Sequence, residues 1–140
     1  MQEMDFLRSL KDYTNLSECP IATGFRALGK RWTIEVVRQL LLGDTKFNQL
    51  LKSLPGVNPR ILALRLKELQ DYGLVIRSVY TGTPVKIDYS LSREGMDLVP
   101  VMFAMAEFSM KNFAEMVFED AKPRSPDDVS KELLETDVLP

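Results

Sequence analysis

A chain of 140 residues that is 45% hydrophobic and 27% charged has the size and composition of one soluble globular domain. It has no histidine and a single cysteine, which excludes a histidine-ligated zinc site, a serine-histidine triad and an internal disulfide, and leaves an enzyme without most of its usual residues. The net charge of −2 speaks against a nucleic-acid partner, but residues 21–80 hold ten Lys or Arg against four Asp or Glu, a local +6 within an acidic frame, as a DNA-contacting face would require.

The chain opens on charges mixed with apolar residues and no uninterrupted apolar run, so neither a signal peptide nor a membrane anchor is expected, and the protein is read as cytoplasmic. Residues 3–14 put Met4, Leu7 and Leu10 on one side of a helix that needs a partner surface. Cys19-Pro20 opens a second helix, with Ile21, Phe25 and Leu28 facing in and Gly29 ending it. The third, Arg31 to Leu42, is apolar on most sides, with Trp32, Val36 and Leu40 in one row and Val37 and Leu41 in the next, and is expected to be central. Gly24 to Lys30 matches the phosphate-loop pattern G-x-x-x-x-G-K, but Arg31 stands where a Ser or Thr should hold magnesium and the preceding segment reads helical.

Gly43-Asp44 breaks the chain, Thr45-Lys46 reads as a short edge strand, and Phe47 to Leu54 as a helix with Phe47, Leu50, Leu51 and Leu54 inward. After a turn at Pro55-Gly56 comes the stretch with the clearest punctuation, Asn58 to Gly73. Asn58 caps it, Pro59 suits the first helical position and Gly73 suits the left-handed end. Leu62, Leu66 and Leu69 form a core-facing seam, and Arg60, Ala63, Leu64, Lys67 and Asp71 fall on the opposite side. A helix with this division suits insertion into a major groove.

The period then becomes strand-like over Leu74 to Tyr80 and Val85 to Leu91, with Thr81-Gly82-Thr83-Pro84 as the turn between them. Helix, turn, helix and hairpin make a winged helix, with Arg77 and Lys86 placing positive charge on the wing. Ser92 caps a last long helix that Pro100 should kink or divide. From Val101 to Phe118 the Met and Phe residues cover more of the circumference than one small domain can bury, which points to a second subunit. Met105, Phe108, Phe113 and Met116 are the candidate contacts there. The acidic tail after Asp120 is read as solvated, with SPDDVSKELLE as a short capped helix within it.

The pieces Cys19-Pro20, Gly29 to Thr33, Phe47-Asn48-Gln49-Leu50, Pro55 to Arg60, Leu66 to Leu69, Gly73-Leu74-Val75 and Tyr89 to Ser92 together resemble the HxlR-type winged helix-turn-helix transcriptional regulators, in order and spacing over roughly residues 19–110. The resemblance implies a homodimer held by its terminal helices on an inverted-repeat operator, with the helix after Asn58 in the major groove. It divides the chain into an N-terminal dimerisation helix (1–18, with Met4, Leu7 and Leu10), a winged helix-turn-helix domain (19–92), a C-terminal dimerisation helix (93–119) and the acidic tail (120–140). Two departures are a single Gly29 where relatives carry two glycines before the basic residues and Trp, and Asn58 where they carry Ser.

Arg60, Ala63, Leu64 and Lys67 are therefore the candidates for contacts at or near the bases, Asn58 caps the helix within reach of a phosphate, and Lys46, Asn48, Lys52, Arg77 and Lys86 are the candidates for backbone phosphates. Cys19 matches the lone cysteine that senses oxidants or electrophiles in several family members and is the candidate redox-sensing residue. No metal, cofactor or catalytic residue is expected, and no small-molecule effector is named by the sequence. The competing expectation is a winged helix whose basic face docks an acidic protein instead of DNA.

Overall fold

The computed structural model describes residues 1–136, which form two compact units, Met1–Gly95 and a second from Met96 onward. The first unit is mainly helical with one two-stranded sheet: α1 (Glu3–Ser9) running into a 3-10 turn (Leu10–Asp12), α2 (Pro20–Leu28), α3 (Thr33–Leu41), α4 (Phe47–Ser53), α5 (Pro59–Asp71), and the antiparallel pair β1 (Val75–Tyr80) and β2 (Lys86–Leu91). The short α6 (Arg93–Met96) closes it.

The core gathers around α3. Val36, Val37 and Leu40 are buried there, with α3 packed against α4, which supplies Leu50, against the α5 seam Leu62, Leu66 and Leu69, and against β2; β1, with the buried Val75, packs on α5, and Leu54 and Val57 complete the core. Each such side chain contributes about 1.5–3 kcal/mol on burial. The expected second row of α3 is only half realised, because Leu41 remains exposed. The helix also starts later than its apolar pattern suggests: Trp32 adopts a left-handed conformation (φ 76°), so the first helical residue is Thr33.

α5 has the ends its sequence encodes. The Asn58 side chain accepts from the Arg60 amide at 2.8 Å, and Pro59 occupies the first helical position. At the far end Gly73 (φ 75°) donates to Gln70 and Leu74 donates to Leu69, both at 2.9 Å, so the last carbonyls are satisfied in a Schellman arrangement. The α4–α5 turn is equally local: Pro55 and Gly56 (φ 90°) form a β-turn closed by the Val57 amide on the Leu54 carbonyl at 3.1 Å.

Two expectations are corrected. Thr45-Lys46 is not a strand; Thr45 accepts one hydrogen bond from the Tyr89 amide (2.8 Å), and the Gln49 side chain takes up the Thr45 and Lys46 amides at 2.9 and 3.0 Å to start α4. Ile21 and Phe25 do not face in, because α2 buries no residue among the described residues. The helix that Ser92 caps is divided as its proline implies: Pro100 has no amide to offer the Met96 carbonyl four residues back, the helix breaks at Asp97, and Pro100 sits in the first turn of α7 (Leu98–Asn112). Gly24 lies inside α2, in agreement with the helical reading of the G-x-x-x-x-G-K stretch.

Ser92 joins these parts. Its hydroxyl donates to the Gly73 carbonyl at 2.6 Å and accepts from the Gly95 amide at 3.0 Å, while its own amide donates to Leu74 at 2.9 Å. The end of α5, the base of the hairpin and the start of α6 thus meet at one side chain. A Cβ at Gly95 would overlap the Leu74 carbonyl oxygen, which is backbone and cannot rotate away. Gly95→Ala should therefore destabilise the first unit by about 1–3 kcal/mol, read as a lower urea midpoint at unchanged slope.

In the second unit, α7 is followed by α8 (Ala114–Val117) and α9 (Pro126–Glu135). The described part of the tail is solvated, and Arg124 organises it. Its guanidinium binds Asp120 through two nitrogens (2.6 and 2.7 Å), reaches Glu132 of α9 at 2.9 Å and lies over the Phe118 ring. That guanidinium holds the Asp120 carboxyl well below the usual carboxylate range. Ser125 and Asp128 cap α9 reciprocally.

Candidate nucleic-acid interface

α4, the turn and α5 carry two sets of side chains that face opposite ways. Leu62, Leu66 and Leu69 are sealed against the core, while Arg60, Ala63, Leu64 and Lys67 are exposed within a sector of roughly 100° on the other side. Leu64 is 47% exposed although apolar. Asn48 and Lys52 are exposed on α4, and Asn58 is exposed at the helix start, where its side-chain oxygen is already used for capping.

The positive charges are not all equally available. Lys46 is paired with Asp88 of β2, and Lys67 with Asp71 one turn along its own helix. Arg60, Lys52, Arg77 and Lys86 enter no ion pair among the described residues. On the hairpin, Arg77 stands opposite Tyr89 and Lys86 opposite Tyr80. With the alternation of a strand this puts the two cations on opposite faces of the wing. They can follow different phosphate tracks but cannot grip the same one from one side. The wing itself is held to the helix-turn-helix at two points, the Lys46–Asp88 pair and the Thr45–Tyr89 hydrogen bond.

One cluster escaped the sequence reading. Arg65 of α5 is nearly buried, with 13% of its side chain exposed. Its Nε donates to the Arg31 carbonyl at 2.8 Å and its Nη1 lies 3.3 Å from Glu68, which also receives Lys30 at 3.0 Å. Arg65 lies roughly 140° round the helix from Arg60, at the margin of the leucine seam. That intermediate angle is the only hint the sequence offers.

Two further regions bear on assembly and sensing. Met4, Leu7, Met105, Phe108, Phe113 and Met116 are exposed, and Leu10 is half-buried. Val101, Met105 and Phe108 share one narrow stripe of α7, and Phe108 meets Phe113 edge to face at 5.5 Å. Cys19 is an exposed free thiol preceding α2, beside an open hollow of about 570 Å³ whose lining includes Leu7, Leu10, Tyr13 and Ile21. Its neighbour Glu18 is held below the usual carboxylate range by hydrogen bonds from Arg26 and Thr23. No helix among the described residues is long and apolar enough to cross a membrane.

A buried leucine seam behind an exposed basic helix, with a hairpin attached beside it, defines a winged helix-turn-helix protein. Comparison with known proteins narrows the class. The profile of the HxlR-like helix-turn-helix family matches residues 27–117, and the chain belongs to that family. An HTH-type transcriptional regulator of Synechocystis, sll1512, is 39% identical over 87 residues, a match spanning 62% of this chain and 64% of that one. Among solved structures, the reduced form of the transcriptional regulator YodB from Bacillus subtilis is 34% identical, covers 66% of this chain and 91% of its own, and superposes with a TM-score of 0.61. The reduced form of the redox regulator HypR is 31% identical, covers 65% and 90%, and superposes with a TM-score of 0.62.

Proposed function

We propose that the chain is a homodimeric, sequence-specific DNA-binding regulator that inserts the helix Asn58 to Tyr72 into the major groove of an inverted-repeat operator. The observation that carries this reading is the exposed stripe of Arg60, Ala63, Leu64 and Lys67 behind a fully buried leucine seam. Arg60 makes the principal base contact, since an arginine bound through two nitrogens to guanine contributes about 1–3 kcal/mol of discrimination. Leu64 meets a thymine methyl group, and Asn58, Asn48, Lys52, Arg77 and Lys86 hold phosphates. Lys46 joins them only by leaving Asp88. Residues 1–18 and 93–119 supply the dimer contacts through their exposed apolar faces, which suits a two-fold symmetric operator.

Redox sensitivity belongs to the same proposal. Cys19 lies ahead of the residues matched by the family profile, but it is exposed at a helix start. YodB and HypR have each been solved in two redox states, YodB reduced and diamide-treated, HypR reduced and oxidised. In this chain a single thiol per protomer would act through its counterpart in the dimer or through a small-molecule thiol.

The deciding experiment is binding to the DNA upstream of its own coding sequence and to random DNA over a salt series, with and without diamide. Selective and salt-steep binding is expected, with Arg60→Ala losing about tenfold of its preference at one operator position. Lys86→Ala should weaken all sequences alike and reduce the salt slope by about 1. Loss of binding under diamide should disappear in Cys19→Ser. Weak binding with a shallow salt dependence would remove the DNA reading in favour of an acidic protein partner.

A further inference from the structure

Arg65 sits on the reading helix but points away from the DNA-facing stripe. The carbonyls on either side of Arg31 are taken by the start of α3: Lys30 accepts from Thr33 at 3.2 Å and Trp32 accepts from Val36 at 2.9 Å. The left-handed Trp32 turns the Arg31 carbonyl out of that series, and the Arg65 Nε reaches it at 2.8 Å. Glu68, one turn further along α5, draws Arg65 and Lys30 together. The same turn is stiffened by the Arg31 guanidinium lying 5.0 Å over the Trp32 ring. Two side chains of the reading helix therefore grip two consecutive residues of the α2–α3 turn, across 34 and 38 positions of sequence.

We propose that Arg65 is a positioning residue for base recognition: with Glu68 it locks the rotation of α5 to the α2–α3 turn, so that Arg60 and Leu64 meet the base edges in register, and it does not itself touch DNA. The leucine seam alone does not set that rotation sharply, because leucines in a row tolerate small rolling adjustments that a charged hydrogen bond to one carbonyl does not. This inference rests on the reading of α5 as the helix that enters the groove.

The test uses the full chain and its Arg65→Gln, Arg65→Lys and Glu68→Ala variants. Each is titrated with the duplex that the wild type selects from a random pool and with random DNA, across salt, at a temperature where circular dichroism shows the protein folded. Both Arg65 variants are expected to lose at least about tenfold of the preference for the selected duplex, comparable to one lost base contact. The salt slope should stay unchanged on both DNAs. Glu68→Ala should shift the preference in the same direction by less.

A salt slope that falls by about 0.9 in Arg65→Gln and returns in Arg65→Lys would make Arg65 a phosphate contact and overturn the proposal. Undiminished preference in folded Arg65 variants would overturn it as well. If the Arg65 variants do not fold, Glu68→Ala decides, full preference in that folded variant being the contrary result. A wild type that selects no duplex would remove the reading of α5 and this inference together, before any variant is compared.

Discussion

Leu66→Ala should cost about 2–5 kcal/mol of folding stability, the range for emptying a sealed leucine site. Leu66 is 1% exposed and sits mid-seam, between Leu62 and Leu69, on the helix that also carries the proposed reading surface. The void would open between α5 and the α3 core, where neighbouring residues are anchored by helix caps and by the Arg65 clasp and have little freedom to collapse inward. Leu64→Ala, two positions away, provides the contrast. Its side chain is half in solvent, so stability should move by no more than about 0.5 kcal/mol while base preference changes. Urea unfolding monitored at Trp32, paired with operator binding, separates the two outcomes. Equal destabilisation by both substitutions would contradict the two-sided division of α5.

In the proposed dimer, Phe108→Glu should separate the subunits and lower affinity for a two-half-site operator by about a hundredfold or more, because the second half-site no longer benefits from tethering. Phe108 stands on the exposed stripe with Val101 and Met105, and its edge-to-face contact with Phe113 makes a broad apolar patch of the kind that supplies interface hot spots. A carboxylate there would have to be buried unpaired in the dimer, whereas in the single chain it faces water. Glu107→Ala, on the polar stripe of the same helix, should leave assembly intact. Analytical ultracentrifugation reads the first effect and binding to single and paired half-sites the second. A Phe108→Glu protein that stays dimeric would move the interface away from α7.

Much of the reading helix was legible because its signals are local. Asn58, Pro59 and Gly73 act within a few residues of themselves, and the seam at 62, 66 and 69 follows from helical periodicity, which the structure bears out with all three leucines buried. The pattern on α2 misled for a related reason. Periodicity identifies an apolar side but not what covers it, and Ile21 and Phe25 find no cover among the described residues. Pro100 is legible from its residue type, since the helix after Ser92 is divided at Asp97, just beyond the Met96 carbonyl that a proline at 100 cannot serve. Arg65 and the Lys46–Asp88 pair were out of reach altogether, since both depend on residues more than thirty positions apart that only the fold brings together. The opposed directions of Arg77 and Lys86 lay between these extremes, for they follow from strand alternation once the register is known.

Among the described residues the polar ties of the hairpin lie at its base, where Ser92 donates to Leu74, Tyr89 to Thr45, and Asp88 meets Lys46, beside the packing of β1 on α5 and β2 on α3. Beyond these ties Val79, Tyr80, Val85 and Lys86 are all exposed and support nothing else in the described fold. The tip is therefore a graft site. Residue pairs added to or removed from it change its length by about 3.4 Å each, while the packing that holds α5 stays as it is. A set of chimaeras differing only between residues 79 and 86 would be a ruler, reporting how far along a duplex this protein extends while the rest of the molecule keeps its shape.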